Sequence, residues 1–113
     1  MKQTLVATGL ATAVLLTAGP ALGQDAKAEQ GMKVFAAQKC TMCHSIAGKG
    51  NKKGPLDEVG SKLTAAEIRE WIVDPEGMQA KTKPTRKPPM KKKPMPAGDV
   101  DALVALLTGL KKS

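Results

Sequence analysis

The sequence predicts a small all-α domain. Three stretches place apolar residues at helical spacing, no stretch alternates apolar and polar residues as a strand does, and most Gly and Pro residues beyond the N-terminal run fall between the periodic stretches. An expected exported leader at residues 1–23 precedes this domain: Lys2 supplies the positive start, Leu5 to Ala18 carries no charge, and Ala21-Leu22-Gly23 has the small residues of a cleavage site. Cleavage is expected before Gln24. The apolar run is shorter than the roughly 20 residues a spanning helix needs, and no cysteine follows the cleavage point to carry a lipid. The expected mature chain, 24–113, is one domain with no stable membrane span.

The first helix is expected from about Asp25, which can cap it, to Lys39, with Met32, Phe35 and Ala36 at helical spacing. Gly48, Gly50 and Gly54 then open a loop that ends in Gly54-Pro55-Leu56. A second helix starts at Thr64, where Glu67 three residues on completes a capping box and Leu63 and Ile68 flank it as a hydrophobic staple. Ile68, Trp71 and Ile72 form its apolar face, and Asp74-Pro75 ends it. The last helix is expected over about Asp99 to Leu110, with Val100, Leu103, Val104, Leu106, Leu107 and Leu110 as its stripe. Lys111 and Lys112 follow at the end of the helix dipole that favours cations.

One constellation carries the chemistry. Cys40-Thr41-Met42-Cys43-His44 holds both cysteines and the one histidine of the chain. Thiols at i and i+3, followed at once by an imidazole, are spaced to form two thioethers along one edge of a porphyrin and to place the ring under its iron. The rival readings fit less well. A thioredoxin-like pair needs a strand before it. A structural zinc site takes four ligands where this chain offers three. A structural disulfide would not require His44. One covalent haem c is therefore expected, tethered by Cys40 and Cys43. The composition agrees, because Phe35 and Trp71 are the only aromatic residues and a domain this small builds a marginal core alone. A large flat apolar group would complete that core. Trp71 is then either plain core or a ring N–H donor to a haem propionate.

The full chain carries a net charge of +8, or +7 without Lys2. Export and the lack of a nucleic-acid-binding motif argue against nucleic acid as the partner of this charge. Seven cations (Lys81, Lys83, Arg86, Lys87, Lys91, Lys92 and Lys93) share a stretch with Pro84, Pro88 and Pro89, which reads as an extended loop. It is either a solvated loop or a docking surface for an acidic redox partner.

With these residues in hand, the mature chain resembles a class I monohaem cytochrome c of the bacterial periplasmic type along essentially its whole length. The motif's place near the mature N-terminus is unlike class II four-helix cytochromes. Gly31 and Phe35 resemble the family's first helix, which crosses the last at close range. Gly54-Pro55-Leu56 resembles the loop whose proline carbonyl, here that of Pro55, accepts the Nδ1 proton of the proximal histidine, His44. Arg69-Glu70-Trp71-Ile72-Val73-Asp74-Pro75 resembles the middle helix of bacterial members. Leu106 is a departure, standing where the family usually has Tyr or Trp. The resemblance implies three to five short helices around the haem, with a methionine as the sixth ligand. Pro94-Met95-Pro96 looks like the family's local signature, whereas the family's spacing of about 16 residues before the aromatic position selects Met90. Met90 is the first choice and Met95 the runner-up, with Met32, Met42 and Met78 as apolar filler. The implied function is a monomeric periplasmic electron carrier with redox-protein partners and no catalytic residues of its own. The alternatives are a haem subunit of a larger oxidoreductase and a five-coordinate gas-binding or peroxidatic protein.

Overall fold

A computed structural model describes Gly9 and residues 20–113. The expected leader, apart from Gly9 and its last residues, lies outside the described residues. Five helices are present: α1 (Pro20–Ala37), α2 (Val59–Lys62), α3 (Ala65–Val73), α4 (Pro75–Thr82) and α5 (Ala97–Thr108). A 3-10 turn, Cys40–Met42, follows α1, and a small hairpin pairs β1 (Ser45–Ile46) with β2 (Lys49–Gly50). None of the described helices is long and apolar enough to cross a membrane.

The principal packing is α1 against α5. Gly31 makes it possible: a Cβ there would lie 2.8 Å from Leu106 Cβ and on top of the Ala102 carbonyl. The close approach turns Gly31, Val34 and Phe35 into the buried face of α1, leaving Met32 and Ala36 exposed. Expecting Met32 and Ala36 to join Phe35 on the inner face was therefore a misreading, because the residue that fits the crossing is the one without a side chain. Val100, Leu103, Val104, Leu106 and Leu107 of α5 join Val34, Phe35, Ile46, Ile68 and Ile72 in one core. Met78 is buried filler as expected, while Met32 and Met42 are exposed.

The boundaries differ in informative ways. Helix α1 starts at Pro20, not Asp25, since a proline suits a first turn and nothing up to Gln24 breaks a helix. The capping box at Thr64 is present: Glu67 N–H donates to Thr64 Oγ1 at 3.2 Å, and Thr64 N–H to Glu67 Oε1 at 3.0 Å. Asp74-Pro75 ends α3 but also begins α4. Asp74 Oδ1 accepts from Gly77 N–H at 3.1 Å, and Pro75 is fully buried at the first helical position. Lys81 thus belongs to a helix, and the extended segment runs from Lys83 to Pro96. The hairpin also departs from the all-helical reading. Its strands are too short to show alternation, and Ala47 (φ 52°) and Gly48 (φ 78°) supply the paired positive φ of a tight two-residue turn. Asp57 Oδ1 holds the Ala47 N–H at 2.7 Å.

Candidate haem site

The thiol pair and the imidazole are set by the chain's turn out of α1. Lys39, at φ 57°, reverses the helix direction and starts the 3-10 turn. Backbone N–H groups of Cys43 and His44 both donate to Cys40 C=O, at 3.2 and 2.9 Å, so the motif folds on itself. Asn51 locks it from outside: its N–H is shared between Thr41 C=O (3.0 Å) and His44 C=O (3.1 Å), and its Nδ2 donates to Met42 C=O at 3.1 Å. Both cysteines are free, Cys40 half-buried and Cys43 exposed. Burial pushes the Cys40 thiol above its ordinary pKa, partly countered by Lys93.

His44 Nδ1 lies 3.1 Å from the carbonyl of Gly54. A carbonyl can only accept, so Nδ1 carries the proton and Nε2 keeps its lone pair for a metal. The expectation had been the next carbonyl, that of Pro55. The shift by one residue follows from the local pairing. Ser45 N–H donates to Gly54 C=O at 3.1 Å and Leu56 N–H to Ser45 C=O at 2.9 Å, which aims the Gly54 carbonyl toward the ring. Burial holds the His44 pKa below the usual histidine value; the Gly54 hydrogen bond opposes this and the Arg86 charge adds to it.

Above this loop lies a cavity of about 230 Å³ lined by Phe35, Cys40, His44, Leu56, Val59, Leu63, Ile68, Trp71, Ile72, Met90, Leu103 and Leu107. Its walls come from α1, the motif, α2, α3, the extended segment and α5. One imidazole, one thiol, one thioether and one indole are set in an otherwise hydrocarbon lining. That combination suits a flat apolar ring with a metal at its centre. Met90 contributes to this cavity; Met95 does not. Met95 packs on the core's outer side and faces a separate cleft with Arg69, Val73, Lys92 and Ala97. Trp71 is half-buried in the cavity wall.

The extended segment 83–96 is held chiefly by polar contacts. Gln79 Nε2 donates to Met90 C=O at 2.5 Å, Lys92 N–H to Glu76 Oε1 at 3.3 Å, and Lys93 Nζ to Gln38 C=O at 2.6 Å. Arg86 Nη2 donates to Cys43 C=O, and its Nη1 stands 3.5 Å from His44 Nδ1. Lys81 pairs with Glu70 at 3.0 Å. The side chains of Lys83, Lys87, Lys91 and Lys92 are exposed and make no hydrogen bond or ion pair among the described residues. Gln79 and Asn51 went unnoticed in the sequence, and Arg86 was read there only as one of the clustered cations. Asn51 sits in a glycine-flanked turn where such a residue is common, but nothing local marks the long-range contacts of the other two.

Residues 28–111 match the family profile described as Cytochrome c. The chain belongs to the cytochrome c family, whose members bind haem and transfer electrons. No curated protein and no solved structure matches it significantly.

Proposed function

We propose that the chain is a periplasmic single-electron carrier whose haem iron is held between His44 Nε2 and Met90 Sδ, with Cys40 and Cys43 as the thioether anchors. The observation that carries this reading is that Met90, His44 and Cys40 line one cavity while Met95 lies outside it. When bound, the haem supplies a ferric–ferrous couple, and a thioether ligand favours the reduced form. Each residue then has a defined task. The Gly54 carbonyl fixes the His44 ring and its tautomer. Gln79 fixes the backbone of Met90. Phe35, Leu56, Ile68, Leu103 and Leu107 exclude water from the cavity, which keeps the surroundings of the couple similar in both oxidation states. Trp71, in the same wall, would donate its indole N–H to a propionate.

The unpaired lysines 83, 87, 91 and 92 share the segment that bears Met90, and an acidic redox protein is the partner that this charge suits. The ligand set is tested by two substitutions. Met90→Ala should abolish the near-infrared sulfur-to-iron band of the oxidised protein and lower its reduction potential. Met95→Ala should leave both nearly intact. The reverse pattern would make Met95 the ligand.

A further inference from the structure

Arg86 stands out because its guanidinium sits against the motif loop although its Cα lies 42 residues away in the extended segment. The seat is built for it. Nη2 donates to Cys43 C=O, Nη1 is 3.5 Å from His44 Nδ1, and a Cβ at Gly54 would come within 2.6 Å of Arg86 Cζ. Gly54 thus leaves the space the guanidinium fills, and its carbonyl takes the histidine proton beside it. Two carbonyls and one imidazole converge there, and Arg86 brings a permanent cation to them.

We propose that Arg86 is a positioning residue that ties the Met90 segment to the His44 loop and raises the reduction potential from the histidine side. The inference rests on His44 and Met90 as the axial pair. Two physical effects have the same sign. A fixed positive charge beside the imidazole opposes the extra positive charge of the oxidised iron. It also opposes polarisation of the Nδ1–H toward Gly54 C=O, which would make the ring a stronger donor and favour the oxidised state. The electron taken up is not accompanied by a proton in either case. The mechanical effect is separate. Four residues span at most about 14 Å, so seating Arg86 on Cys43 limits how far Met90 can retreat from the cavity.

Arg86→Met in the haem-loaded protein separates these effects when compared with Lys87→Met, which removes an equal charge from the neighbouring residue, exposed as Arg86 is but without its contacts to Cys43 and His44. Arg86→Met should shift the electron-binding equilibrium about tenfold toward the oxidised form, about 59 mV downward for one electron. It should also lower the temperature at which the near-infrared band is lost. Lys87→Met should change the equilibrium less than about twofold and leave the band midpoint in place, a contrast expected because Lys87 makes no such contact. Arg86→Lys restores the charge without the fork, so it should recover most of the potential but not the band midpoint. Equal shifts for Arg86→Met and Lys87→Met, or a rise in potential, would overturn the proposal. If Arg86→Met does not assemble, Arg86→Gln replaces it in the same comparison. A wild-type protein lacking the band would refute Met90 ligation instead, and the potential comparison would still decide the role of Arg86.

Discussion

Replacing Gly31 by Ala tests the α1–α5 crossing on which the cavity depends. A Cβ at this position meets Leu106 Cβ at 2.8 Å and Ala102 C at 3.0 Å. Carbon atoms pack favourably at about 3.5–4.0 Å, so the new methyl is short of room by roughly 0.7–1.2 Å. The obstruction includes main chain, which cannot rotate aside, and the helices must part. Overpacking of this kind costs about 1–3 kcal/mol. Alanine returns up to about 1 kcal/mol through better helix propensity. With backbone as the obstacle the upper part of the range applies, leaving a net loss of about 1–2 kcal/mol, or roughly 5–15 °C in Tm for a domain of this size. Gly98 is the internal control. It lies in the first turn of α5 with nothing within 4 Å of a Cβ, so Gly98→Ala should be neutral or stabilising by up to about 1 kcal/mol. Guanidinium unfolding of the haem-loaded protein, followed by far-ultraviolet circular dichroism, measures both. A Gly31→Ala protein within about 0.5 kcal/mol of wild type would refute the close-crossing argument.

Two further outcomes are expected. Thr64→Ala removes the side-chain half of the capping box, the Oγ1 that accepts from Glu67 N–H, and leaves the backbone N–H of position 64 to Glu67 Oε1; it should cost about 1 kcal/mol, measured by the same unfolding assay, and Thr64→Ser should restore most of it. The second-order rate of electron exchange with an anionic protein should fall steeply with added salt, because unpaired lysines act over a Debye length of about 8 Å at physiological ionic strength. A rate independent of salt in stopped-flow measurements would mean that the lysines only solvate the segment.

What the sequence disclosed depended on whether the determining interactions were local. The capping box, the α3 face and the α5 stripe from Val100 to Leu107 all arise from residues within a turn or two of one another, and each is present, although the helix ends at Thr108 and Leu110 packs on the core from beyond it. The haem motif is five consecutive residues, so its assignment needed no tertiary information. Helix α4 escaped because Asp74-Pro75 reads equally as a stop and as a start, and only the hydrogen bond to Gly77 decides which. On α1 the periodicity of Met32 and Ala36 misled, whereas Gly31 and Phe35, marked by the family resemblance, do sit at the crossing. The histidine's acceptor slipped by one residue because the hydrogen bonds of Ser45 to Gly54 and Leu56, not the proline itself, aim the carbonyl. Arg86 was read as one of seven loop cations because nothing near it in sequence reveals where its side chain ends.

The order in which the cavity's walls leave the ribosome follows from the fold. Cys40, Cys43 and His44 are synthesised immediately after α1, whereas Met90, Leu103 and Leu107, on the remaining sides, come last. At about 5–20 residues per second, the interval between Cys43 and Leu107 is roughly 3–13 s. During that time the thiols stand on a turn with no lid above them. α1 cannot bury its Gly31 face either, since the matching surface on α5 does not yet exist. The emerging chain therefore presents both sulfurs before the walls from the extended segment and α5 can close over them. A circular permutant that placed α5 ahead of α1 would lose that interval while keeping every contact of the finished molecule.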